Sequence, residues 1–170
     1  SQFVAYERPR QWLNSAGLGT MGFAVPAAMG AQVGEPDRVV WAIDGDGCFQ
    51  MTNQELATCV INRIPIKIAV INNSSLGMVR QWQQLLHGNR LSHSYSEALP
   101  DFVKLAESYG HVGMRITDLK DLKPKMEEAF ALKNRLVFLD IAVDSSEHVY
   151  PMQIRDGAMR DMWLSKTERT

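Results

Sequence analysis

Four short apolar runs along the chain predict the strands of a buried β-sheet. They cover residues 39–43, 65–71, 111–116 and 136–143. Short apolar runs that end at glycine or other turn residues are typical of strands. The run at 65–71 and the run at 136–143 are apolar on both alternating sets of positions, which is the pattern of parallel strands covered on both faces.

The segments between these runs predict helices. Residues 15–34 are rich in glycine and alanine, a composition that would let a helix pack closely against a neighbour or a ligand. Thr52 and Glu55 have the spacing of a capping box at the start of a helix. Further helices are predicted at 76–86, 100–109 and 121–132. The apolar side of the helix at 76–86 would consist of Met78, Val79, Trp82, Leu85 and Leu86.

Strands and helices therefore alternate, which predicts an α/β fold with an open, mostly parallel sheet and helices on both faces. With 170 residues and 45% hydrophobic content, the chain suits one core better than two. We expect one domain over 1–143, in which residues 1–14 are a lead-in without a clear period. We expect 144–170 to be a tail that packs over this domain or over a partner, because its large apolar side chains would be costly in water.

Charge and cysteine content narrow the class of protein. The formal net charge is −1, and the basic residues are scattered, so no electrostatic footprint for nucleic acid or for an anionic membrane is present. Cys48 and Cys59 lack the spacing of a zinc site or of a disulfide scaffold. No apolar stretch reaches the length of a membrane span, since Lys67 interrupts the best candidate. These features predict a soluble protein of the cytoplasm.

Two polar motifs follow the first two predicted strands. Gly45-Asp46-Gly47 ends the first, and Asn72-Asn73 ends the second. One helix separates the strands, so a right-handed crossover would bring both strand ends to the same edge of a parallel sheet. Asp46 and Asn73 are therefore expected to converge. Their oxygen atoms suit Mg²⁺, which is usually shared with phosphate groups, and the glycines would let backbone amides approach those phosphates.

The remaining polar residues offer little acid–base machinery. No serine or cysteine has a recognisable nucleophile motif, and the four histidines show no metal-ligand or triad spacing. We expect most of them to be surface or loop residues. A site of this kind is typical of enzymes whose cofactor supplies the difficult chemistry.

The paired motifs resemble the thiamine-diphosphate signature, in which a Gly-Asp-Gly is followed at a distance by Asn-Asn. Longer strings extend this likeness: 18–23, 45–51 and 76–83 are similar to the carboxy-terminal domain of the acetohydroxyacid synthase (acetolactate synthase) catalytic subunits. The string at 77–83, Gly-Met-Val-Arg-Gln-Trp-Gln, favours the synthase over relatives that share the cofactor signature. The ending from Glu147 onward resembles bacterial large subunits that work with a small regulatory subunit.

This resemblance implies a set of site residues. The Mg²⁺ ligands would be the side chains of Asp46 and Asn73 and the backbone carbonyl of Ser75. Residues that contact thiamine diphosphate would be Gly19, Met21, Gly45, Gly47, Cys48, Met51, Gly77 and Met78. Residues at the substrate would be Met78, Val79 and Trp82. Cys48 is a departure, because a serine or another small residue is common there.

The resemblance also implies a longer enzyme. Its catalytic subunit has an amino-terminal domain with the glutamate that activates the cofactor and a middle domain that holds FAD, and neither is similar to anything in this chain. We therefore expect the chain to be about one third of a subunit, to lack a catalytic residue of its own and to be inactive alone. The complete enzyme would be a homodimer through its catalytic subunit. It would decarboxylate pyruvate and condense it with a second 2-ketoacid, pyruvate or 2-ketobutyrate, in branched-chain amino-acid biosynthesis.

Two alternatives remain open at this stage. The chain could belong to another thiamine-diphosphate enzyme of the pyruvate oxidase or glyoxylate carboligase type, which share the cofactor signature. It could instead be a cofactor-binding module without catalysis.

Overall fold

A computed structural model describes residues 3–153 and 157–168 of the chain. Within these residues the chain forms two compact units. The first unit comprises 3–73 and 98–143, and the second comprises 74–97 with the described residues from 144 onward. The division into a domain at 1–143 and a tail at 144–170 stays a prediction, and parts of both segments, residues 1–2, 154–156 and 169–170, lie outside the described residues.

The first unit is built on a parallel β-sheet. Over the described residues this sheet has four strands in the order β1-β2-β4-β3, and every neighbouring pair is parallel. Each strand overlaps one of the predicted runs, which confirms the predicted fold class. The strands are β1 Trp41–Gly45, β2 Lys67–Asn72, β3 Val112–Ile116 and β4 Val137–Ala142.

Helices cover both faces of the sheet. The helices are α1 Ala24–Gly34, α2 Asp46–Phe49, α3 Glu55–Asn62, α4 Gly77–Leu85, α5 Phe102–Ser108 and α6 Leu119–Ala131, of which α4 belongs to the second unit. On one face, α1, α2, α3 and α5 pack around Ile68 and Phe138. On the other face, α6 packs through Ala129 against Val137 and Leu139. Successive side chains of β4 therefore enter opposite apolar clusters, as the pleat of a strand requires.

Side-chain caps fix the starts of the two helices that flank β3. Asp101 caps α5 and accepts hydrogen bonds from the backbone N–H groups of Val103 and Lys104. Asp118 caps α6 and accepts from the N–H of Lys120 at 3.0 Å. Each aspartate satisfies amide groups that the first turn of a helix leaves without a partner.

The helix predicted at 15–34 is wrong over its first half. Residues 15–23 form turns, and the helix begins only at Ala24. Gly19 and Gly22 have φ angles of +65° and +85°, which a right-handed helix does not contain. Small residues alone did not reveal this, since glycine serves turns of positive φ as readily as it permits close helix packing.

The predicted capping box at Thr52 and Glu55 is also wrong. The Thr52 hydroxyl donates to the carbonyl oxygen of Gly22 at 3.0 Å, and α3 begins at Glu55 without a side-chain cap. A tertiary partner that is distant in sequence therefore takes the hydroxyl that the local pattern assigned to the helix end.

The second unit contains α4 and two short strands. The strands β5 Met152–Gln153 and β6 Met162–Trp163 pair in antiparallel fashion. Trp163 is only 8% exposed, so this part of the chain encloses a large aromatic side chain. In the ranges that the structure describes, no helix combines the length and the apolarity needed to cross a membrane.

Candidate functional site

Asp46 lies at the turn from β1 into α2. The sequence predicts a loop after this strand, whereas the structure places a short helix there, with Asp46 as its first residue. The side chain of Asp46 is almost fully buried, at 2% exposure. Phe49, on the same short helix, packs against Phe102 and Phe138 in the core, with ring centroids 5.5 Å and 4.8 Å away. This aromatic anchor fixes the helix and therefore the position of Asp46.

Asn73 directly follows β2, the strand next to β1. In the parallel register Gly45 lies opposite Ile71, so the chain leaves both strands at the same edge of the sheet. Asp46 and Asn73 each come within two residues of that last pair. The structure thus brings the two strand ends together. A carboxylate and an amide oxygen are a donor pair that fits a magnesium ion, and metal binding by Asp46 and Asn73 stays a prediction.

A chain of polar side chains extends from this edge across the sheet. Asn72, the last residue of β2, donates from Nδ2 to Oδ1 of Asp140 at 2.9 Å. Nε of Arg115 donates to the other oxygen of Asp140 at 3.1 Å, and Nη2 of Arg115 donates to Asp101 at 2.7 Å. This network was not predicted from the sequence. An available signal was the single aspartate inside the apolar run at 136–143.

A second buried carboxylate, Asp44, lies on β1 two residues before Asp46. Burial raises the pKa of Asp44 to about 6, against hydrogen bonds from the Gly45 amide and the Cys48 thiol that lower it. Burial also raises the pKa of the Cys48 thiol, and the neighbouring Asp44 charge adds to this effect. The predicted cofactor residue Cys48 is therefore kept in its neutral thiol form.

The loop at 19–23 and the turn after α2 touch each other closely. A Cβ atom on Gly22 would lie 2.9 Å from the Met51 Cβ and 3.0 Å from Cγ2 of Thr52, and the φ of Gly22 is positive. The predicted cofactor residues Met21 and Met51 flank this contact and are 41% and 56% exposed. Side chains of this size at such exposure are available to a ligand.

An apolar cavity of about 1110 Å³ opens in the first unit. Three of the predicted cofactor residues, Gly19, Met21 and Cys48, are among its lining. The lead-in contributes Tyr6 and Trp12, whose rings are in tilted contact at 5.8 Å. The lead-in therefore forms one wall of this cavity.

Of the remaining predicted residues, Gly47 is buried on α2, whereas Ser75, Gly77, Met78, Val79 and Trp82 belong to the second unit. Ser75 is 3% exposed, and its hydroxyl donates to the Ser94 carbonyl oxygen at 2.9 Å. Met78, Val79 and Trp82 lie on α4 and are 51%, 48% and 42% exposed. The structure therefore leaves the three residues predicted at the substrate accessible, while their role stays a prediction.

The buried side of α4 is polar. Arg80 and Gln81 are 0% and 1% exposed, so the apolar side of this helix is not the one that the unit buries. Gln81 receives a hydrogen bond from the Val149 N–H at 2.8 Å and donates to the Val149 carbonyl at 2.9 Å. Arg80 donates to the carbonyl of Glu147 at 2.6 Å, and Gln84 contacts His148. Residues 147–149 thus fasten to α4 through polar side chains, and this segment is part of the predicted tail.

In the described ranges, no group of three or more acidic, histidine or cysteine side chains could hold a metal ion. His111 donates from Nε2 to the Leu56 carbonyl at 3.0 Å, and burial lowers its pKa. Its hydrogen bond and its burial fit a packing role, not catalysis.

The chain matches a known protein family over most of its length. Residues 1–141 match the model of the family described as thiamine pyrophosphate enzyme, C-terminal TPP binding domain. The matched range contains the first unit's sheet except Ala142, the last residue of β4, and the whole of α4.

Relatives of high identity carry a more specific name. The chain is 52% identical to the acetolactate synthase isozyme 3 large subunit of Escherichia coli, over 99% of this chain and 30% of that protein. It is 54% identical to the acetolactate synthase large subunit of Haemophilus influenzae, over 96% of this chain and 28% of that protein. It is 55% identical to the acetolactate synthase of Mycobacterium leprae, over 95% and 26%. The chain therefore spans less than one third of the length of these relatives.

Proposed function

The chain belongs to the thiamine pyrophosphate enzyme family, as its C-terminal TPP-binding domain, and from this membership we propose that it works as part of an acetolactate synthase large subunit. The complete enzyme decarboxylates pyruvate and condenses it with a second 2-ketoacid, pyruvate or 2-ketobutyrate. The product class is the acetohydroxyacids that lead to branched-chain amino acids. Relatives that are 52–55% identical over 95–99% of this chain are named acetolactate synthase.

One geometric observation carries the cofactor part of this proposal. The ends of β1 and β2 are neighbours in a parallel sheet, and each is followed by an oxygen-bearing side chain, Asp46 or Asn73. Ligands of open α/β sheets bind at the carboxyl ends of the strands. A carboxylate and an amide oxygen are a donor set that fits Mg²⁺ bound to a diphosphate.

The roles of individual residues are part of the proposal. Asp46 and Asn73 would hold Mg²⁺ by their side chains, and Ser75 would do so by its carbonyl oxygen. Thiamine diphosphate, when bound, supplies the electron sink for decarboxylation. The chain would orient it through Gly19, Met21, Gly45, Gly47, Cys48, Met51, Gly77 and Met78. The assignments of Ser75, Gly77 and Met78 rest on the resemblance of the motifs.

The proposal extends to the partners and the cellular location of the protein. The relatives' names include "large subunit", which supports a small regulatory subunit as a partner. We propose a homodimer of the catalytic subunit, FAD bound outside these residues and a cytoplasmic location. Pyruvate oxidase and glyoxylate carboligase share the cofactor signature, but the string at 77–83 and the names of the relatives favour the synthase.

The decisive experiment replaces Asp46 by alanine in the full-length protein that contains this chain. We expect the variant to lose metal-dependent binding of thiamine diphosphate, measured by calorimetry at fixed Mg²⁺, and to lose acetolactate formation from pyruvate. Asp37→Ala, which removes a carboxylate from an exposed turn, is the matched control. Normal cofactor affinity in Asp46→Ala would contradict the metal assignment. Cofactor binding without any condensation product in the unaltered protein would favour the non-catalytic module.

A further inference from the structure

Asp140 is a buried carboxylate inside an otherwise apolar strand. It lies on β4 between β2 and β3, opposite Val70 on one side and Arg115 on the other. It is only 4% exposed. Removing a carboxylate from water is unfavourable unless hydrogen bonds or an opposite charge compensate. Both of its oxygens are engaged, one by Asn72 at 2.9 Å and the other by Arg115 at 3.1 Å.

We propose that Asp140 is a positioning residue that holds the end of β2 and thereby presents Asn73 to the metal. This inference rests on the proposed function, since it takes Asn73 to be a ligand of Mg²⁺. Asp140 does not touch the metal in this scheme. It acts through Asn72, the residue that precedes the ligand.

The attachment of Asn72 is made through both its backbone and its side chain. The Asn72 carbonyl accepts from the Val143 N–H at 2.9 Å, which continues the pairing of β2 with β4. The Asn72 amide group donates to Asp140, which lies on the same neighbouring strand. The last peptide plane of β2 is therefore fixed from two directions. One residue later the chain reaches Asn73, so a rotation of Asn72 would displace the Asn73 side chain directly.

The outer arm of the network holds Asp140 itself in place. Arg115 links it to Asp101, which caps the first turn of α5. The guanidinium group of Arg115 on β3 therefore orients the carboxylate of Asp140. Arg115 is itself held by Asp101 at the start of α5. A metal ligand must be held within a fraction of an ångström of its productive position, and supporting groups of this kind commonly provide that precision.

Four variants of the full-length protein separate positioning from simple stability. Asp140→Leu removes the acceptor for both Asn72 and Arg115. Asp140→Asn keeps an oxygen that can accept from Asn72. Arg115→Met removes only the outer arm, and Asp37→Asn makes the same charge change at an exposed turn. For each, Mg²⁺ is titrated by calorimetry at saturating thiamine diphosphate, and the melting temperature is measured without either ligand.

We expect Asp140→Leu to weaken Mg²⁺ binding by about 10- to 100-fold, the usual effect of losing a group that orients a metal ligand. Asp140→Asn restores most of that affinity. Arg115→Met lowers the melting temperature while changing the Mg²⁺ affinity much less than Asp140→Leu does. Asp37→Asn changes neither quantity.

Two results would overturn the inference. One is an Mg²⁺ affinity in Asp140→Leu equal to that of the unaltered protein, even if the melting temperature falls. The other result comes from a further variant, Asn72→Leu, which is used if Asp140→Leu does not fold. Asn72→Leu leaves the Asp140–Arg115 pair intact. An unchanged Mg²⁺ affinity in this variant excludes positioning through Asn72. Failure of the proposed function is distinguishable, because then Asp46→Ala would also bind Mg²⁺ and cofactor normally.

Discussion

At the scale of single residues, Lys67 shows how a cation is accommodated in the core. It is 0% exposed on β2, and its ammonium group donates to the carbonyl oxygens of Pro65, Leu132 and Arg135. The Leu132 and Arg135 carbonyls belong to the connection between α6 and β4. In the sequence, Lys67 stands out only as an interruption of an apolar run. In the structure it fastens that connection to the sheet.

Lys67→Met keeps the length of the side chain and removes every donor. We expect it to lower the free energy of unfolding by roughly 3 kcal/mol, because buried carbonyl groups lose their hydrogen-bond partner. Urea denaturation of the full-length protein measures this change. Lys123→Met, at a side chain that is 86% exposed, is the matched control and leaves the midpoint unchanged. Equal midpoints for the two variants would show that Lys67 has no such role.

The exposed side chain of Trp82 bears on which 2-ketoacid the proposed enzyme would accept as its second substrate. Its side chain is 42% exposed on α4 and shares that exposure with Met78, one turn earlier. A core role would have buried it. Under the proposed function, an exposed indole at this point can form an apolar wall against the second 2-ketoacid.

We expect Trp82→Leu to leave the decarboxylation of pyruvate largely intact while changing the ratio of acetohydroxybutyrate to acetolactate by about tenfold or more. The two acceptors differ by one methylene group, and one methylene in an apolar pocket is worth about 1–3 kcal/mol. Product analysis with mixed 2-ketoacids measures the ratio. Phe3→Leu, at an aromatic side chain that is 92% exposed and does not line the cavity, is the control. A lower melting temperature with an unchanged ratio would assign Trp82 to stability alone.

At the scale of elements, α4 buries its polar side and exposes its apolar side. The side-chain amide of Gln81 accepts from the N–H of Val149 and donates to its carbonyl oxygen, as a neighbouring strand would do. Arg80 holds the neighbouring carbonyl of Glu147. The segment at 147–149 therefore depends on side chains of α4 for hydrogen bonds that regular secondary structure would otherwise supply.

Gln81→Leu tests this dependence directly. We expect amide exchange at Val149 to accelerate on the order of tenfold or more, because the N–H loses its acceptor and the segment opens more readily. Exchange in the sheet strands stays unchanged. Hydrogen-exchange mass spectrometry of peptides that cover 147–153 provides the measurement, and Gln153→Leu, at an exposed position, is the control. Equal exchange in the two variants would contradict the role of Gln81.

The elements that the sequence predicted well are those defined by local patterns. The apolar runs at 65–71 and 136–143 became β2 and β4 because their neighbours on both faces are apolar too. The alternation of strands and helices then fixed the fold class, and with it the convergence of the two strand ends. Asp46 and Asn73 could be paired from the sequence for this reason.

The elements that the sequence predicted poorly depend on distant partners. The hydroxyl of Thr52 bonds to Gly22 rather than capping α3, and no local pattern contains that contact. The buried face of α4 is set by residues 147–149, which are far away in sequence. The network of Asp140 and Arg115 required knowledge of the strand order β1-β2-β4-β3, which periodicity does not provide.

At the scale of the whole molecule, the chain corresponds to a part of a larger catalytic assembly under the proposed function. It spans 30% of the Escherichia coli relative and 28% of the Haemophilus influenzae relative. The groups assigned to the diphosphate and Mg²⁺ lie in these residues. The group that would activate the cofactor is expected elsewhere.

We expect the isolated 170-residue chain to form no acetolactate from pyruvate. It would bind thiamine diphosphate on the order of 100-fold more weakly than the full-length protein, because a ligand held at one end only loses the gain from simultaneous contacts. Calorimetry with Mg²⁺ and thiamine diphosphate compares the two proteins. Circular dichroism confirms that the isolated chain is folded. Equal affinities together with acetolactate production by the isolated chain would contradict this expectation.

The close contact at Gly22 determines how a substitution could alter the separation of Met21 and Met51. The loop that carries Met21 and the turn that carries Met51 are separated in sequence by α1, β1 and α2, yet they meet at a residue without a side chain. The distance between the loop and the turn is therefore set by the contact at Gly22. A single methyl group at position 22 would act as a wedge between the two segments. The separation of the two methionines can thus be altered without replacing either of them.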